Sequence, residues 1–143
     1  MERSDQAVNR MIPGKVNCAQ ALLSEFGPAF GLQEPMAMTL GRPLGGGMGA
    51  TGNVCGFVSA AVLILGLAHA QTDEAAARRQ TNAAVKALFD RLNAEQGTIL
   101  CKEVLGADMG TSEGRAQIAA QKLTATHCPR FGRLVVKILQ SLF

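Results

Sequence analysis

Apolar residues recur along the chain at three- and four-residue intervals, and nowhere do they alternate with polar ones as a half-buried strand requires. A weak periodic segment, Asp5–Ile12, stops ahead of Pro13-Gly14. From Asn17 onward Ala19, Leu22, Leu23 and Phe26 share one helical face, and Gly27-Pro28 closes that helix. Residues 28–52 read as a Gly/Pro-rich connection with one helical turn near Pro35–Leu40. Asn53 is placed to cap an almost wholly apolar helix, Val54–Ala70, which is expected to be buried on all sides. Thr72 is placed to cap the next helix, with Asp73 and Glu74 in its first turn, where the helix dipole favours acids. Thr81, Ala84, Val85, Leu88 and Leu92 form its inner stripe, and Gly97 ends it. A short helix at Cys101–Leu105, stopped by Gly106, and another at Ser112–Ala125 follow. The last helix is expected to start at Pro129, since proline is favoured at a first helical position. Its stripe of Phe131, Leu134, Val135, Ile138, Leu139 and Leu142 should be buried, with Arg130, Arg133 and Lys137 in solvent. The expected fold is all-α: one compact domain, residues 1–143, of about six helices around the central apolar one.

Composition narrows the function. Hydrophobic residues are 48% and charged residues 17% of the chain, which excludes intrinsic disorder. A domain of 143 residues needs neither disulfide nor metal merely to fold. There is no Trp and no Tyr, so the stacking platforms of single-strand binders are missing and no nucleic-acid partner is expected. The net charge of +3 is uneven: Arg115, Lys122, Arg130, Arg133 and Lys137 follow Gly114 without a single acid. With no run of cations and no interleaved aromatics, that end reads as a solvated helix face. The most apolar stretch, Val54–Ala68, would span ~22 Å as a helix, short of the ~30 Å bilayer core. No transmembrane segment is expected. The opening Met1–Gln6 lacks the apolar core of a signal peptide, so a cytoplasmic location is expected.

The chemistry lies in the four cysteines, Cys18, Cys55, Cys101 and Cys128. None forms a CxxC pair, which removes the common zinc-finger, thioredoxin and ferredoxin signatures. All four fall at or near a predicted helix start, where free backbone N–H groups and the positive dipole end stabilise a thiolate. Gly45-Gly46-Gly47-Met48-Gly49 precedes Cys55, and Gly56 follows it. Such glycines can bring backbone N–H groups close to an anion, and Gly47, Gly49 and Gly56 are candidate wall residues. The run is neither a phosphate loop nor a dinucleotide fingerprint, because no Gly-Lys-Ser/Thr follows and no strand precedes it. His127 beside Cys128 is a weaker candidate, and His69 is expected only to meet the end of its own helix. The methionines are scattered and read as core or loop residues. No Ser–His–acid arrangement supports hydrolysis.

Asn17-Cys18-Ala19-Gln20-Ala21-Leu22, the Gly45–Gly49 run, Cys55-Gly56, Cys101–Gly106 and Cys128-Pro129 together resemble the C_GCAxxG_C_C family of redox-active proteins. The likeness covers Val16 to Pro129. It implies a small helical protein used in redox or transport contexts. A related module in a split-Soret type cytochrome carries an iron–sulfur cluster, which the resemblance extends to these four cysteines. No haem-attachment Cys-x-x-Cys-His is present, so the cytochrome part does not carry over. The chain departs from the family pattern at Phe57, where the family has Ala, and at Ala60, where it has Gly. Both changes are expected to add bulk beside Cys55.

Four thiolates that converged could hold a cluster of the 2Fe–2S type, or zinc. Without metal they could form redox disulfides, or they could be structural cysteines of a helical interaction module. The first reading makes the chain an electron carrier rather than an enzyme with an organic substrate. Its redox partner protein is unknown, and a homodimer is among the arrangements left open.

Overall fold

A computed structural model describes all of residues 1–143. It is all-α, with α1 (Arg3–Asn9), α2 (Cys18–Phe26), α3 (Glu34–Gly41), α4 (Gly56–Ala68), α5 (Glu74–Gln96), α6 (Cys101–Leu105), α7 (Ser112–Gln121) and α8 (Leu123–Gln140). Single 3-10 turns follow α2 and α3, and the only β-type pairs are the isolated bridges Ile12–Val16 and Val54–Leu100.

Eight helices stand where about six were expected, for two local reasons. The turn near Pro35 is a complete helix, with proline in its first turn, where no N–H is needed. The stretch after Ser112 breaks at Lys122, whose φ of 53° lies in the left-handed region and ends α7. The last helix therefore begins at Leu123, six residues before the expected Pro129. Proline there sits inside α8 and has no N–H to offer the Ala125 carbonyl.

Helix α4 is central and packs against α2, α5 and α8. Phe57, Val58, Ala60, Ala61, Ile64 and Leu65 are completely buried. It is not buried on all sides, however: Leu63 is 42% exposed and Gly66 faces solvent. Asn53 does not cap it. The Asn53 carbonyl accepts the Cys101 N–H instead, and the helix starts after Cys55. Asp73, rather than Thr72, caps α5 through Oδ1, which accepts the Ala75 and Ala76 N–H groups.

The expected stripe of α8 is buried without any second chain: Phe131, Val135, Ile138 and Leu139 are at most 1% exposed, with Leu134 and Leu142 half-buried. Val136 joins it. Helix α1 lies along α8, where Asp5 accepts from Arg133 Nε at 2.8 Å, so Arg133 is partly covered while Arg130 and Lys137 stay in solvent. A main core runs through α1, α2, α4, α5 and α8. A second, small core of Cys101, Leu105, Ile118 and Leu123 joins α6 and α7 to the start of α8. The space between the two cores is where the cysteines meet.

Candidate functional site

Each cysteine is positioned by its local sequence. Cys18 opens α2 because Asn17 and Gln20 form a reciprocal cap: Asn17 Oδ1 accepts the Gln20 N–H at 2.8 Å, and Gln20 Oε1 accepts the Asn17 N–H at 2.9 Å. The Asn17 amide also donates to the Gly41 and Arg42 carbonyls, fixing the end of α3 beside Cys18. Cys55 and Cys101 are brought together by one antiparallel rung. The Cys55 N–H donates to the Ile99 carbonyl at 2.9 Å, and the Cys101 N–H to the Asn53 carbonyl at 2.7 Å. Cys55 is thereby the N-cap of α4 and Cys101 the first residue of α6. Cys128 is different: it lies inside α8, just before Pro129, not at a helix start.

All four sulfurs are free thiols on the wall of one cavity of about 700 Å³. Gly46 and Gly56 share that wall. A side chain at Gly56 would collide with Cys18 Sγ and lie 3.1 Å from the Leu44 carbonyl, so glycine is the price of the sulfur's close approach. Residues 46–50 run through five consecutive left-handed conformations, Met48 and Ala50 included, with φ between 58° and 75°. This unusual turn aims the Gly46 N–H at Cys18. Gly47 and Gly49 support the turn from outside the cavity; Gly47 is pressed against the backbone of Asn53.

Neither Phe57 nor Ala60 crowds the site. Both are fully buried away from the cavity, and the Phe57 ring fills the space beside Gly132 on α8. His127 is also off the cavity, its Nδ1 2.8 Å from the Thr126 hydroxyl, and His69 Nε2 lies 3.1 Å from the Leu142 carbonyl. Val8, Met11, Met109, Ile118 and Lys122 also line the cavity, with no local motif to mark them. Scattered methionines such as Met11 and Met109 carry no site signature, and nothing marks Lys122 as left-handed.

The four thiols are not equivalent. Cys18 is held below an ordinary thiol's pKa, first by the Cys55 S–H that donates to it and then by the N–H groups of Ala19 and Gly46, against the opposing effect of burial. Cys55 is raised, because it donates to Cys18 and is fully desolvated. Burial, with the neighbouring Cys18 charge, pushes Cys101 up to about 11 and Cys128 up to about 12. The thiolate is the reactive form, so the metal-free, reduced protein should be alkylated by iodoacetamide at pH 7 first at Cys18. Cys101 and Cys128 should label only as the pH approaches 11 and 12. Peptide mass mapping over a pH series checks this order, and early labelling of Cys101 or Cys128 contradicts it.

No three thiol, imidazole or carboxylate groups are gathered closely enough to ligate one metal ion as they stand. Cys18 and Cys55 are in direct hydrogen-bond contact, while Cys101 belongs to the small core and Cys128 packs against both cores. No helix is long and apolar enough to cross a membrane. The sequence model of a family described as "Putative redox-active protein (C_GCAxxG_C_C)" matches residues 16–142. No curated protein and no solved structure matches the chain.

Proposed function

The chain belongs to the C_GCAxxG_C_C family of redox-active proteins, and from that premise we propose that it transfers electrons through a 2Fe–2S cluster held by Cys18, Cys55, Cys101 and Cys128. The observation that carries this is the convergence on one cavity of four thiols that lie far apart in sequence. A disulfide would need only two of them. A four-thiolate zinc site needs all of its ligands around one ion. A two-iron cluster takes four soft thiolates across two irons and so tolerates a wider spread of sulfurs. When bound, the cluster supplies single-electron exchange.

An oxidised cluster with four thiolates carries a net charge of about −2. The chain offers that charge the N–H groups around Cys18 and the starts of α2 and α4, within largely apolar walls. A separate redox protein gives or takes the electron. Free thiols in this number suit a reducing compartment such as the cytoplasm.

Reconstitution under anaerobic conditions with iron and sulfide should yield a brown protein with about two irons and two labile sulfides per chain. Replacing Cys55 by Ser should strongly reduce both, since a hard alkoxide is a poor ligand among thiolates. Colourless protein without bound iron would overturn the cluster. The hydrogen bond between Cys18 and Cys55 would then favour the second reading, in which these two alone form a thiol–disulfide couple.

A further inference from the structure

The cavity extends well beyond its sulfurs. Cys55 and Cys101 are buried and mark its deep end. Asn9, Lys122 and Ala125 line it but are exposed, and so form the mouth. Between them lie Val16 and, contributed by both cores, Met11, Leu105, Met109 and Ile118. The wall carries no carboxylate and no arginine; Lys122 is its one charged residue. A volume of about 700 Å³ lies within the range of small-molecule pockets.

We infer that the outer part of this cavity binds a small neutral quinone and presents it to the thiols. The inference rests on the second reading above, the Cys18/Cys55 thiol–disulfide couple, and deepens it by naming a substrate class. Apolar walls suit an uncharged ring and disfavour phosphate-bearing cofactors, which call for several cations or converging N–H groups. The mouth carries three residues with donor groups, Lys122, Asn9 and Thr124, within side-chain reach of a carbonyl oxygen left near solvent. The deep end holds the electrons. Cys18 and Cys55 can reduce one quinone completely: two S–H bonds break, one S–S bond forms, and both electrons and both protons pass to the ring oxygens as two new O–H bonds. No further reactant is needed.

Two measurements on the full chain test this. Durohydroquinone cannot oxidise thiols, so its addition to the reduced, iron-free protein reports binding alone. In ¹³C-methyl spectra it should shift Met11 and Met109, which line the cavity, and leave the exposed Met36 and Met48 in place. Unchanged Met11 and Met109 signals, or equal shifts at all four, would overturn the inference. The second compares the reduction of duroquinone, whose methyl groups block thiol addition, with that of ferricyanide, an anion unsuited to the apolar wall. Ala125→Phe, which fills the mouth, should lower the duroquinone-to-ferricyanide rate ratio by about tenfold or more. An unchanged ratio counts against the pocket. A wild-type protein that binds durohydroquinone but reduces neither oxidant refutes the redox reading while leaving the binding site standing.

Discussion

Replacing Gly56 by Ala should dismantle the thiol centre while leaving the helical fold largely intact. The new methyl would press on Cys18 Sγ, with the Leu44 carbonyl at 3.1 Å and Ala19 Cβ at 3.3 Å blocking its retreat. The flexible partner is the sulfur, so the sulfur moves, away from the Cys55 S–H and the N–H groups of Ala19 and Gly46. Overpacking of this size costs about 1–3 kcal/mol in stability. The larger effect is on the site: alkylation of Cys18 at pH 7 should slow about tenfold as its pKa climbs back. For the cluster proposed above, iron affinity on reconstitution should fall by about 10–100-fold, as when the support of a metal ligand is disturbed. Gly66→Ala is the matched control on the same helix. A methyl there meets nothing within 4 Å, so it should leave the site alone and gain up to about 1 kcal/mol from helix propensity. Native iron content and thiol reactivity in the Gly56→Ala protein would show that the contact does not matter.

The second large effect lies in the core. A methyl on Gly132 would approach the Phe57 ring at 2.6 Å and Val8 Cγ1 at 2.8 Å, all of them buried. Gly132→Ala should therefore cost about 1–3 kcal/mol, although the same change in an open helix would be stabilising. Phe57→Ala alone should cost about 3–5 kcal/mol through the cavity it leaves. Combined, the new methyl occupies part of the space vacated by the ring. The double variant should be less damaged than the two losses added together, with a coupling of about 0.5–3 kcal/mol. Urea unfolding of the four proteins measures it, and strict additivity would mean the two residues do not share that space.

This pair also shows where sequence reasoning stops. The helix start at Asn17, the helix ends at Gly97 and Gly106, and the stripe on α8 were legible because each depends on residues within a few positions of one another. So was the candidate set of four thiols with Gly56, now seen on one cavity wall. Phe57, by contrast, read as bulk beside Cys55 because its complement, Gly132, lies on another helix far along the chain. The rung that joins Cys55 to Cys101 is built from backbone groups alone, so no side chain announces it. Pro129 misled because proline suits a helix start, whereas here it stands six residues inside α8 and leaves the Ala125 carbonyl without its N–H. Lys122, left-handed without being glycine, gives no sequence cue at all.

The rung has a further consequence for how the chain can be edited. It makes α4 and α5 a closed excursion, which leaves the site at Cys55 and returns to it at Ile99. The two ends are fastened to each other whatever happens at the far turn, where Ala70–Asp73 is exposed. Lengthening a turn costs little, about 0.6 kcal/mol per doubling of a flexible loop. The remote end of this hairpin is therefore a natural port for an added module, able to grow without shifting a single sulfur.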